Sequence, residues 1–181
     1  MTKEQRLLVI FVLVVISGGL GMFTSHYFPW NPSAPPRPSS LNQSSDFSLL
    51  DTSGQMRHSN EWHGKVLLLN FWAPWCPPCR KEIPGFISLY KSYREQGLMI
   101  VGVALDEPEE VRHFVSNLHI DYPNLIGNDA GSDLADRFGN NSGSLPYTVI
   151  FDRGGKLVYR HLGELSVADA EAVIRPLLTQ H

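Results

Sequence analysis

The sequence predicts a mixed α/β fold, a central sheet with helices on both faces. Two long apolar runs carry that reading: residues 66–72 (VLLLNFW) and 98–105 (LMIVGVAL). Each is continuously hydrophobic, as a strand buried on both faces must be. A helix-length segment ending at Gly97 lies between them, so they join through a crossover and run parallel. Short strand pairs with Gly-containing turns at either end of the domain add antiparallel neighbours, which makes the sheet mixed.

The N-terminus is a separate object. Lys3 and Arg6 precede residues 7–23 (LLVIFVLVVISGGLGMF), an uncharged run at the lower edge of membrane-spanning length. A cleaved signal peptide competes with an anchor, but Thr24-Ser25-His26 is a poor small-x-small site and no Cys follows for lipid attachment. Tyr27, Phe28 and Trp30 supply the aromatic residues that membrane interfaces favour. Residues 1–28 are therefore expected to be an uncleaved anchor. Basic residues before the span put the N-terminus in the cytoplasm and the domain outside it. The expected location is the bacterial inner membrane, single-pass, with the domain in the oxidising periplasm. Residues 29–45 (PWNPSAPPRPSSLNQSS) read as a Pro/Ser-rich, semi-extended linker.

Residues 46–181 form the domain. Phe47-Ser48-Leu49-Leu50, the turn Asp51-Thr52-Ser53-Gly54 and residues 55–58 read as an N-terminal β-hairpin. The strand over 66–72 follows, then a helix over 77–96. Proline is tolerated in that helix's first turn, where the N–H has no partner to lose, and Pro84 should kink it. After the strand over 98–105, residues 107–118 read as a helix opening on acidic residues, which suit the positive end of the helix dipole. Residues 121–127 are short and extended, and 132–138 form a short helix. Residues 147–152 and 156–162 flank Arg153-Gly154-Gly155 as a hairpin. A C-terminal helix over 166–178 is capped by Ser166, with Asp169 three residues on.

Charge excludes one class of function. The 181 residues carry 15 basic and 18 acidic side chains, a formal net of −3. Only Lys3, Glu4, Arg6 and Arg37 precede the domain, which is more acidic still. Nucleic-acid binders show a basic surplus or stripe instead. The 7 His are scattered without metal-ligand spacing, so no metal site is expected.

The chemistry lies in Trp75-Cys76-Pro77-Pro78-Cys79, which holds both cysteines of the chain. A bridge closing so short a loop removes little chain entropy, so the pair reads as chemical rather than structural. Disulfide exchange needs one thiolate that attacks and a second thiol that resolves the mixed disulfide. At a helix start, Cys76 meets unsatisfied N–H groups and the positive dipole end, which favour its thiolate. Cys79, one turn in and less exposed, resolves. Pro77 and Pro78 stiffen the loop and remove two N–H donors. The pair reads as an exposed one that works without a bound cofactor, its own disulfide being the redox group. The rival is a copper-binding or metal-delivery site built on the same two cysteines. His58 and His63, just before the first long strand, are the nearest candidates for further ligands. Peroxidase chemistry is weaker, because the T-x-x-C pattern meets Ala73 instead of Thr.

Residues 66–86 (VLLLNFWAPWCPPCRKEIPGF) resemble the membrane-anchored, thioredoxin-like reductases of the bacterial envelope, the TlpA/ResA group. The resemblance covers nearly all of residues 46–181. It implies a thioredoxin fold with a central insertion at residues 107–127, Cys76 as nucleophile and Cys79 as resolving thiol. It also implies a cis-Pro146 loop, Gly143-Ser144-Leu145-Pro146-Tyr147, facing the disulfide and exposing the Leu145 backbone. Trp75, Pro77, Leu145 and Pro146 would together meet the substrate.

Glu82 lies one turn beyond Cys79 on the same helix face. In ResA-like members a glutamate here is near the thiols, where it can move a proton; the alternative is a solvated helix glutamate. Asn70 departs from cytoplasmic thioredoxins, which carry a buried Asp there. Phe71 and Trp72 beside it are expected in the core. The resemblance further implies a reductant acting on protein disulfides, for example in cytochrome c maturation or oxidase assembly. A membrane electron donor would re-reduce it.

Overall fold

The computed structural model describes residues 46–179. The anchor and linker expected over residues 1–45 lie outside the described residues. The domain opens on the hairpin of β1 (Ser48–Asp51) and β2 (Met56–His58), paired antiparallel. The Asp51 carboxylate closes its turn by accepting the Ser53 and Gln55 amides. A 3-10 turn at Ser59–Trp62, which sequence reading missed, then leads into β3 (Val66–Trp72). Helix α1 (Pro77–Tyr93) passes into a 3-10 turn at Arg94–Gln96 and stops at Gly97, whose φ of 100° is left-handed.

Strand β4 (Leu98–Ala104) lies parallel to β3, and helix α2 (Pro108–Asn117) follows with proline at its first position. Residues 121–127 contain β5 (Asn124–Ile126), which pairs parallel with β4 and antiparallel with β1. The predicted insertion therefore supplies a strand that ties the N-terminal hairpin to the sheet. Helix α3 (Asn128–Arg137) starts four residues earlier than the expected position 132. The helix passes close to the end of β4 there: a Cβ on Gly131 would lie 2.6 Å from Leu105 Cδ2, which would have to shift. Strands β6 (Tyr147–Phe151) and β7 (Leu157–Leu162) form the second hairpin, and α4 (Val167–Thr179) closes the described chain. Ser166 caps α4 as predicted, accepting the Asp169 amide and donating to its carboxylate.

The strand order is β2-β1-β5-β4-β3-β6-β7, with β3 inside the sheet between β4 and β6 and buried along its whole length. Its side chains alternate between two apolar layers. Val66, Leu68 and Trp72 join α1, α2 and α4 on one face, while Leu67, Leu69 and Phe71 join α3 on the other. Burying one Leu or Phe in such a layer contributes roughly 1.5–3 kcal/mol.

Asn70 shares the parity of Leu68 and Trp72, which puts a polar side chain on the α1 face. Pairing extends that position into a row across five strands. Asn124 stands opposite Gly102, Gly102 opposite Asn70, Asn70 opposite Thr148, and Thr148 opposite His161. This polar row runs across the sheet on the side covered by α1.

Candidate active site

β3 ends at Trp72, and the chain turns through Ala73 to Trp75 before α1 begins. The Cys76 amide donates to the Ala73 carbonyl at 3.1 Å, which sets that turn. Cys76 is the N-cap of α1 and is disulfide-bonded to Cys79. Pro77 and Pro78 occupy the first two helical positions. The Cys79 N–H is consequently the first free donor of the helix, and it donates to Cys76 Sγ at 3.3 Å. That is the donor a Cys76 thiolate would find in the reduced protein.

The pair is less open than the sequence suggested. Cys76 is 3% exposed and Cys79 is fully buried, because both belong to the apolar layer under α1. The asymmetry still runs the expected way, with Cys76 the outer sulfur. Pro77 is exposed on the outer surface of the first turn, and Trp75 is 66% exposed.

The Leu145–Pro146 peptide is cis, as the resemblance implied. Phe71 pairs with Tyr147, so Pro146 lies at the end of the sheet from which the cysteine loop departs. Pro146 is buried and its carbonyl accepts the Gly163 amide at 2.9 Å. Leu145 is half-buried against the layer that contains both cysteines. Asn140 donates to the Ser144 carbonyl and accepts from the Ser142 hydroxyl, which holds the approach to this loop.

Glu82 is not a solvated helix glutamate. It is 4% exposed and sits on the buried face of α1. Its Oε1 accepts from Asn70 Nδ2 at 2.8 Å, and its Oε2 accepts the Leu165 amide at 2.8 Å. Asn70 Nδ2 also donates to Thr148 Oγ1 at 3.0 Å, while Asn70 Oδ1 is buried with no partner. Burial pushes the Glu82 carboxyl up to about 7. The two donors oppose that rise and the Glu164 charge adds to it. A carboxyl poised there can take up or release a proton near neutral pH. The buried Tyr122 phenol is also pushed upward, by burial first and by the Glu82 charge second.

Sequence reading named Cys76, Cys79, Glu82, Trp75, Pro77, Leu145 and Pro146 as site residues, and it placed Trp72 and Phe71 in the core, where the structure has them. It missed Thr148, Leu165 and Asn124 as partners. Asn70 and Thr148 had a legible mark, each being the one polar residue in an apolar strand. For the metal reading, no three His, Cys, Asp or Glu side chains among the described residues come together as a ligand set. His58 instead pairs with the Ser48 hydroxyl through Nδ1, and the ligands that reading needs are not gathered around the cysteines.

Residues 42–160 match the model of the AhpC/TSA family. The chain belongs to that family. Within it, a protein of Halalkalibacterium halodurans named thiol-disulfide oxidoreductase ResA is 35% identical, over 91% of this chain and 92% of its own length. A ResA of Geobacillus kaustophilus is 31% identical over 94% and 95%. Among solved structures, a thiol:disulfide interchange protein of the thioredoxin family from Chlorobium tepidum superposes with a TM-score of 0.65 at 28% identity. It covers 74% of this chain and 93% of its own. A secreted thiol-disulfide isomerase from Corynebacterium glutamicum shares the fold, with a TM-score of 0.71 at 21% identity, over 76% and 86%. This AhpC/TSA member is a thiol–disulfide oxidoreductase of the thioredoxin fold and ResA type.

Proposed function

We propose that this oxidoreductase is a protein-disulfide reductase of the bacterial cell envelope. Residues 7–23 anchor it in the inner membrane, and residues 29–45 hold its domain off the periplasmic face. The observation that carries the reading is the placement of Cys76 as the cap of α1, bonded to Cys79, with the one available N–H aimed at its sulfur.

In the reduced protein, the Cys76 thiolate attacks one sulfur of a substrate disulfide. The other substrate sulfur leaves as a thiolate and takes a proton. Cys79 then gives up its own proton, Glu82 being its nearest acceptor along the helix, and attacks Cys76 Sγ. The second substrate thiol is released and the Cys76–Cys79 disulfide forms. Two electrons pass to the substrate, and a membrane dithiol donor restores them. Trp75, Pro77, Leu145 and Pro146 form the surface that meets the substrate chain. Substrates of this kind arise in cytochrome c maturation and oxidase assembly, where protein thiols must be kept reduced before loading.

The test is insulin reduction by the reduced protein. Turnover that disappears in Cys76→Ser is expected; no turnover, or turnover that survives the substitution, refutes the reading. Cys79→Ser expressed in cells should accumulate a mixed disulfide through Cys76 with its substrate.

A further inference from the structure

One peptide group joins the buried carboxyl of the site to the edge of the sheet. The Glu164–Leu165 peptide gives its N–H to Glu82 Oε2 at 2.8 Å. Its carbonyl, on Glu164, is 3.2 Å from His161 Nε2. A carbonyl only accepts, so Nε2 carries the hydrogen and His161 is the donor. Nδ1 faces the Tyr159 hydroxyl at 3.4 Å, and the two rings lie parallel. His161 is also the last member of the polar row, opposite Thr148, which bonds Asn70, which bonds Glu82. The imidazole thus reaches Glu82 through one peptide group.

We propose that His161 is a positioning residue for Glu82, acting through the Glu164–Leu165 peptide to set how firmly the carboxyl holds its proton. The inference rests on the reading of Glu82 as the proton-moving group of exchange. A hydrogen bond to a peptide carbonyl polarises the whole group and makes its N–H a stronger donor. Here that N–H ends on the carboxylate, so the His161 contact favours the ionised form of Glu82.

The other groups facing Glu82 are fixed in kind. Asn70 from β3 donates and Leu165 donates. The Glu164 carboxylate opposes ionisation, although Lys81 lies 3.9 Å from it. Tyr122, before β5, remains a neutral phenol. The neighbouring disulfide does not titrate. Of these, only the Leu165 N–H belongs to the peptide that His161 contacts. The carboxyl's position near 7 places it where a small push redistributes its proton.

The experiment is a carbon-13 NMR titration of the Glu82 carboxyl in the oxidised full-length chain. His161→Phe keeps a planar ring beside Tyr159, one atom larger, and removes both nitrogens. Its midpoint should rise by roughly 0.3–0.6 pH unit, the loss expected when one bond of a polarised chain is removed. His161→Ala should give the same direction. An unmoved or lowered midpoint in a folded variant overturns the proposal. The pH profile of insulin reduction separates it from the reading beneath it. If the carboxyl midpoint moves and the rate profile does not, the His161 coupling stands and the proton role of Glu82 in exchange falls.

Discussion

Replacing Glu82 by glutamine should make the stability of the oxidised protein less dependent on pH. The carboxyl is buried beside Asn70 and the Leu165 amide, and burial lifts it from 4.5 to about 7. A raised carboxyl means that the folded state prefers the protonated form. Its contribution to stability is complete below the unfolded value, near 4.5, and is lost as pH rises through the folded value, near 7. Each pH unit between those two values corresponds to about 1.4 kcal/mol, so the loss across that window is about 3 kcal/mol.

Glutamine has nothing to lose there. Its amide oxygen can accept the Leu165 amide. Its nitrogen can donate to Asn70 once the Asn70 amide turns over and presents Oδ1, the atom now without a partner. Urea unfolding at pH values from 4 to 9, with the disulfide intact, measures both proteins. The disulfide removes the cysteines from the titration, and groups that do not interact with Glu82 cancel in the difference. The wild type should lose about 3 kcal/mol relative to Glu82→Gln between pH 4.5 and 8. Parallel curves would refute the reasoning, because they would mean that burial does not disfavour the charged carboxylate.

Three further outcomes follow from the same geometry. Gly102→Ala should cost about 2–4 kcal/mol in urea unfolding. The added Cβ would lie 2.7 Å from Trp72 Nε1 and crowd the Asn124 amide, breaking the 3.2 Å bond between them. Pro78→Ala restores an N–H at the second position of α1, a second donor for the Cys76 sulfur. The reduced form gains, so the reduction potential in glutathione buffers should rise by about 10–30 mV; an unchanged or lower potential would remove the proline argument. Arg153→Met should destabilise the protein by about 2–4 kcal/mol in thermal unfolding, because Arg153 donates to the carbonyls of Gly64, Gln96 and Leu178 and joins three chain segments.

Much of this site is legible because its chemistry is local in sequence. Cys76, two prolines and Cys79 form one helix start, so their order and spacing can be read directly from the sequence. The strands were legible for a similar reason, since a strand buried on both faces has to be apolar throughout. A glycine inside a helix, such as Gly131 in α3, looks the same in sequence as a glycine in a loop. The partners of Glu82 were not legible because they are set by register. Thr148 lies 78 positions from Asn70, and Leu165 lies 83 from Glu82. Only the pairing of β3 with β6, and the return of the chain after β7, bring them to one carboxyl.

The choice of asparagine at position 70 then has a physical meaning. Asn70 Nδ2 donates to Glu82 and Thr148 together, so it favours the ionised carboxyl while burial opposes it. An aspartate in its place would set two carboxylates face to face, and one of them would have to hold a proton. With asparagine no second carboxyl titrates at position 70, and burial raises Glu82 against the two donors. The amide also offers either of its ends. Nδ2 suits a carboxylate, and Oδ1 suits a carboxylic acid or a glutamine. The site can therefore carry Glu82 in both protonation states without leaving its oxygen-bound proton unpartnered. That is what a group must do if it is to lend a proton to a buried thiol and take it back.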